Sequence, residues 1–298
     1  MDFKQLDAFV KVIELGSFSK AAEAIFLSQP SVSTYISSLE KDLGQALLNR
    51  STKEVSPTLA GKIFYENAKE LIALKHNAAE RIKNLSGETS GTINIVASSV
   101  PSQYILPNIL AGFCRLYPRI SFNVKQLDTH DASKFIVAQR ADVGILGGIT
   151  NPDKCVYQEF MSERMVFIAP KTSIYTDKEY TIEELLHHRC FIGREEGSGT
   201  RSEYEAHFTK QGVDVSKIKT CISFDNTQSI INAVINGMGI AVVSEYAAKS
   251  FVAKGDICTI KLHPELPRRN FYYVLKKNFY HSHLVDLFID YLKTNVRA

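Results

Sequence analysis

The chain has 298 residues, 45% of them apolar, with 35 Lys/Arg against 32 Asp/Glu and a formal net charge of +3. That length admits two or three domains, and the composition is that of a globular protein. No stretch approaches the roughly 18 to 20 apolar residues of a membrane span, and the charged N-terminal segment lacks a signal-peptide core, so a cytoplasmic protein with no membrane partner is expected.

In chain order, Leu6, Phe9, Val10 and Ile13 form a helical stripe that Gly16 interrupts. Ser17 or Ser19 then caps a second short helix carrying Ala21, Ala22 and Ile25. Leu27 to Pro30 turn the chain into a third helix within "LSQPSVSTYISSLEKDLG" (27–44). At 100° per residue, Val32, Ile36, Leu39 and Leu43 fall in one band flanked by Tyr35, and Ser31, Ser33, Thr34, Ser37, Ser38 and Lys41 face the other way. Pro30 suits the first turn and Gly44 the stop.

Short hydroxyl side chains let a helix approach another surface closely and can bond phosphate oxygens and base edges. The other reading of that face is a solvated, Ser-rich surface. Bulk charge does not choose between them, because the first 61 residues hold six Lys/Arg against seven Asp/Glu. A polyanion would have to be held by local placement of charge.

"LLNRSTKEVSPTLAG" (47–61) reads as a small hairpin whose turn bears Arg50 and Lys53. From Pro57 to about Ser86 a long helix is expected. Ala60, Phe64, Asn67, Leu71, Leu74, Ala78, Arg81 and Leu85 recur in steps of four and three, a seam that needs a partner to cover it. "SGETSG" (86–91) ends the helix as a linker.

Beyond Gly91 strands alternate with helices. "TINIVAS", "ISFNVKQL", "ADVGILGG", "RMVFIAP", "HRCFIG", "TCISF", "IAVVS" and "FYYVL" read as strands, giving an α/β region with largely parallel sheets. In such folds ligands bind at the carboxyl ends of strands. "SSVPS" (98–102), Thr129, Gly147–Gly148, "EEGSGTR" (195–201) and "DNTQS" (225–229) all occupy such positions. Their Ser, Thr and Gly residues at helix starts suit a small anion, or they simply cap helices.

Catalysis and metal binding find little support. "SFSK" and "SSLEK" contain Ser-x-x-Lys without a partner motif. His187–His188 and His281/His283 lack the i, i+4 spacing and the third ligand of a metal site. Cys114, Cys155, Cys190, Cys221 and Cys258 are too dispersed for zinc or a disulfide framework, and free thiols are expected. Neither a metal nor a cofactor is expected, and no enzymatic activity.

"AAEAIFLSQPSVSTYISSLEKDLGQALLNR" (21–50) resembles the DNA-binding signature of LysR-type transcriptional regulators. "VSPTLAG" resembles the element that opens that family's linker helix, and "GREEGSGTR" and "NGMGIAVVS" resemble segments of its effector domain. Ile25, Leu48 and Pro57 are mild departures. The resemblance implies an α+β, multi-domain protein: an N-terminal winged helix-turn-helix (1–58), a dimerising linker helix and hinge (59–90), and a two-lobed α/β, periplasmic-binding-protein-like effector domain (91–298). Its lobes would comprise 92–164 with 268–298, and 165–267, hinged near 163–166 and 267–270.

The resemblance further implies double-stranded DNA as a partner. Ser28, Gln29, Pro30, Ser31, Ser33, Thr34 and Ser37 would enter the major groove or flank it, with Gln29 the candidate for a bidentate adenine contact. Arg50, Ser51 and Lys53 would hold phosphates from the wing. Ser99, Ser102, Thr129, Gly148, Ser198, Thr200 and Asn226 would bind a small-molecule effector, an acid or oxyanion. A homodimer through the linker helix and a homotetramer would follow. The competing reading is a cytosolic small-molecule-binding protein without DNA function.

Overall fold

A computed structural model describes residues 1–50, 55–84, 89–171, 179–188 and 190–296. The chain divides into two compact units, Met1–Gly87 with Phe279–His283, and Glu88–Asn278 with Leu284–Ala298. Among the described residues no helix is long and apolar enough to cross a membrane.

The first unit opens with α1 (Phe3–Leu15), held by a capping box in which Asp2 and Gln5 satisfy each other's backbone N–H groups. Gly16 ends it at φ 61°, a left-handed conformation that residues with a β-carbon avoid. Ser17 caps α2 (Phe18–Ala24), and Ser28 caps α3 (Gln29–Leu43). A short antiparallel ribbon follows, β1 (Leu48–Arg50) against β2 (Val55–Pro57), with Leu48 opposite Pro57. The expected hairpin is therefore present, and α4 (Leu59–Asn84) begins two residues after Pro57 because Pro57 still pairs in the ribbon.

Leu6, Phe9, Val32, Ile36, Leu39 and Leu47 form the core of this unit, with the ring of Phe64 5.4 Å from that of Phe9. Glu40 ties α3 to the ribbon by accepting the N–H groups of Leu47 at 2.9 Å and Leu48 at 3.2 Å. A β-carbon at Gly61 would lie 2.0 Å from the Leu47 carbonyl oxygen, so α4 can pass the ribbon only with glycine there. Leu43, expected in the apolar band of α3, is 39% exposed.

The second unit runs β3 (Gly91–Ala97), a π-helical turn at Pro101–Ile105, α5 (Leu106–Leu116), β4 (Ile120–Gln126), α6 (Thr129–Val137) and β5 (Val143–Leu146). The long β6 (Cys155–Pro170) leads to α7 (Ile182–His188), β7 (Phe191–Arg194), α8 (Gly199–Lys210), a 3-10 turn at Val215–Lys217, β8 (Thr220–Phe224) and α9 (Thr227–Ile235). Then come β9 (Ala241–Ser244), α10 (Glu245–Lys254), β10 (Ile257–Ile260), β11 (Arg268–Lys276) and α11 (His283–Asn295).

β3 pairs parallel with β4 and β5, while β11 runs antiparallel to both β5 and β6. β6 pairs with β11 up to Arg164, then with β9 and β10 from Met165 onward, also antiparallel. The sheet is thus mixed, not largely parallel. The difference comes from β6: the expected strand began at Arg164, but "CVYQEFMSE" before it extends the same strand as a partly exposed segment whose mixed polarity hides it. Helices cover the resulting apolar faces. Phe113 of α5 is wholly buried among Phe122, Phe288 and Tyr291, and a second cluster gathers Phe167, Phe191, Tyr204 and Phe208.

The expectation of free cysteines needs one correction. Cys190 and Cys221 are joined as a disulfide with Cα atoms 5.6 Å apart. They are 31 residues apart in sequence, and it is the parallel pairing of β7 with β8 that brings them side by side. Cys114, Cys155 and Cys258 are not disulfide-bonded.

Candidate functional site

Two clusters stand out, one in each unit. In the first, Val32, Ile36 and Leu39 are completely buried while Ser28, Gln29, Pro30, Thr34 and Ser37 are exposed. Ser31 and Ser33 are half-buried at the edges of that face. The Thr34 hydroxyl donates to the Pro30 carbonyl at 2.9 Å, and the Ser28 and Ser31 hydroxyls lie 2.8 Å apart. These short bonds keep the side chains folded against the helix, so its outer face is low and can be approached closely. Just before it, Phe26 is 94% exposed at φ 55°, a feature that the sequence reading passed over. Ser51, Lys53 and the side chain of Arg50 lie outside the described residues.

In the second unit, a narrow cleft gathers the ends of β3, β5 and β7 and the starts of α6 and α8. Its free space, about 10 Å³, is that of a single water molecule, so a ligand there has to be small and to displace existing contacts. Ser98 and Ser99 follow β3, and the Ser98 hydroxyl accepts the Gly147 N–H at 3.2 Å. Thr129 opens α6, whose cap is Asp128. Ser198 and Thr200 open α8, and Ser198 makes no side-chain capping bond there, so helix capping does not account for its burial.

Two arginines also line the cleft. Arg194, 3% exposed, ends β7 and is fully engaged. It holds Glu195 through two 2.8 Å bonds and donates to Ser99 Oγ at 3.0 Å, to Thr227 Oγ1 at 3.3 Å and to the Asp225 carbonyl at 3.2 Å. Arg269, also 3% exposed, lies opposite Glu163 in register across β11 and β6. Its Nε donates to Glu163, its Nη1 donates to Thr200 Oγ1 at 2.7 Å, and Glu163 in turn accepts the Ser244 hydroxyl. The Phe271 ring lies 5.0 Å below its guanidinium.

Of the residues that sequence pointed to, Ser99, Thr129, Ser198 and Thr200 come together on this cleft. Gly148 borders it, its Cβ direction facing Thr129 and Gly199. Ser102 sits in the π-helical turn and Asn226 caps α9 through the Ser229 N–H, both away from the lining. Sequence reading missed Arg194, Arg269 and Glu163. Alternation along β11 held a signal, since Arg269 shares a strand face with buried Phe271 and Tyr273, and a charge at such a position calls for a partner.

Family models bracket the same two units. The bacterial regulatory helix-turn-helix protein, lysR family, matches residues 3–62, and the LysR substrate binding domain matches residues 86–297. The HTH-type transcriptional regulator CysL of Bacillus subtilis is 32% identical over 305 aligned residues, covering 100% of this chain and 99% of that protein. A full-length OxyR variant from Pseudomonas aeruginosa aligns with a TM-score of 0.74 at 19% identity, covering 100% of this chain and 96% of that one. The CcmR regulatory domain of Synechocystis, solved in complex with 2-PG, aligns with a TM-score of 0.64 at 24% identity over 70% of this chain and 100% of that one.

Proposed function

The chain belongs to the LysR family of DNA-binding transcriptional regulators, and from that premise we propose that a small anion in the cleft of its second unit controls its binding to duplex DNA. The observation that carries the DNA half is the division of α3, with Val32, Ile36 and Leu39 wholly inside and Gln29, Thr34 and Ser37 outside. An α-helix with a low polar face fits the major groove, where Gln reads adenine through two hydrogen bonds. Ser28, Pro30, Ser31 and Ser33 border that contact, and Arg50, Ser51 and Lys53 hold the flanking phosphates.

The ligand half rests on buried hydroxyls, two helix N-termini and two guanidinium groups around one small space. Ser99, Thr129, Gly148, Ser198 and Thr200 bind the ligand. The similarly folded CcmR domain with 2-PG supports a small ligand at this fold. Residues 92–164 with 268–298 act as one lobe and 165–267 as the other. The change of β6 partners at Arg164/Met165 supports a hinge there. Residues 1–58 bind DNA, residues 59–90 pair two chains, and pairs assemble into a tetramer in the cytoplasm.

A gel mobility shift with duplex from the region upstream of its own gene tests the reading. A shift that small acids strengthen, weaken or move is expected. No shift at any salt concentration would leave a ligand-binding protein without DNA function.

A further inference from the structure

The two buried arginines of the cleft are not equivalent. Arg194 directs all three of its nitrogens to acceptors, among them Glu195, Ser99, Thr227 and the Asp225 carbonyl. It has little left to offer a ligand and serves as a strut between the end of β7 and the loop after β3. Arg269 is different. A guanidinium carries five N–H donors, and Arg269 uses one toward Glu163 through Nε and one toward Thr200 through Nη1. Its Nη2 forms an ion pair with the same Glu163 carboxylate, and among the described residues the remaining N–H groups of Nη1 and Nη2 have no acceptor. Buried donors left without an acceptor are uncommon and costly.

The surroundings hold Arg269 ready. Glu163 contacts it from the neighbouring strand, Ser244 braces Glu163, and Phe271 lies under the guanidinium plane. Thr200, its one acceptor on the cleft side, is neutral and sits in the first turn of α8. A neutral hydroxyl is a weaker acceptor for a guanidinium than an anionic oxygen.

We infer that Arg269, backed by Glu163, is the residue that reads the negative charge of the ligand in this cleft, the ligand's oxygen replacing Thr200 as acceptor. This rests on the reading of the cleft as an anion site. Glu163 balances Arg269, Glu195 balances Arg194, and Asp128 adds a further carboxylate to the wall. The cleft is therefore no general well for negative charge. It selects a small oxyanion by directed donors, and chloride is a poor substitute. Arg269 also stands where β6 changes partners from β11 to β9 and β10, so a shift of its guanidinium is felt at that crossover.

The test is a thermal-shift and calorimetric titration of the full-length protein with sulfate, sulfite, phosphate and glycolate, with chloride as the ionic-strength control. At least one oxyanion is expected to raise the melting temperature, and its affinity should fall about thirtyfold or more in Arg269→Gln. Because Arg269→Gln leaves Glu163 buried without its partner, Glu163→Gln/Arg269→Gln is the second variant, and the same loss is expected there. Arg201→Gln, which removes a charge from α8 that pairs with Glu205, should keep wild-type affinity. Unchanged affinity in the double variant would overturn the assignment of Arg269 while leaving an anion site in place. If no oxyanion binds the wild-type protein, the anion reading itself fails and this assignment with it.

Discussion

Gly199, at the start of α8, lies so close to the end of β5 that a β-carbon on it would sit 3.0 Å from the Gly147 carbonyl oxygen and 3.0 Å from Thr129 Oγ1. Backbone and a buried threonine cannot yield easily, so the cleft is as narrow as this one contact allows. Gly199→Ala should therefore act as a wedge. Overpacking of this kind costs about 1–3 kcal/mol, partly offset by alanine's better helix propensity. The melting temperature should fall by a few degrees, and a ligand that raises it in the wild type should raise it less in the variant. An unchanged response would mean that the cleft opens freely.

The ribbon after α3 depends on Glu40. Its carboxylate accepts two backbone N–H groups, those of Leu47 and Leu48, where the chain leaves α3. Glu40→Ala strands both donors and should cost about 1–3 kcal/mol. Glu40→Gln keeps one acceptor oxygen and should recover much of that loss. Chemical denaturation of the three proteins measures the order.

Along α4, Leu59, Ile63, Leu71, Leu74 and Ile82 are exposed, with Leu59 at 78% and Ile82 at 69%. At 100° per residue Leu59, Ile63 and Leu74 share one side and Leu71 and Ile82 flank it, while Ala60 and Phe64, part of the seam expected from sequence, pack on the core of their own unit. An exposed apolar side on a 26-residue helix calls for a partner helix. Leu71→Glu/Leu74→Glu should shift the sedimentation coefficient toward that of a smaller species. Wild-type sedimentation in the variant would place the chain–chain contact elsewhere.

His207 on α8 has its pKa lowered, first by burial and then by the charge of Lys210, and its Nε2 is buried without a hydrogen bond. The unfolded chain therefore binds a proton more readily than the folded one. Stability contributed by the neutral ring is present above the ordinary His value of about 6.5 and is lost as pH falls through it. His207→Gln should flatten the acid side of the pH–stability curve. A curve identical to wild type would remove His207 as a contributor.

The first unit was legible because its signals are local. Ser17, Ser28, Gly16 and Gly44 cap or stop helices at the positions their chemistry dictates, and the Val32, Ile36, Leu39 spacing fixes which side of α3 turns inward. Leu43 escaped because the band ends one turn before the helix does. In the second unit, hydroxyls and glycines after strands marked the cleft, since strand ends and helix starts are also local patterns. What stayed hidden depends on distant parts of the chain. Arg269 meets Glu163 across 106 residues, and Cys190 meets Cys221 only once β7 and β8 pair. The length of β6 was hidden for another reason: its first half alternates imperfectly because several of its polar residues face outward.

In the proposed function, the outer face of α3 reads duplex DNA. Fluorescence anisotropy of a labelled duplex from the region upstream of its own gene, titrated with wild-type protein and with Gln29→Ala/Thr34→Val, tests it most directly. Wild-type binding is expected to weaken steeply with salt, and the variant, at unchanged melting temperature, to lose about 1–3 kcal/mol of sequence discrimination. Equal affinity and equal discrimination in the two proteins would contradict it.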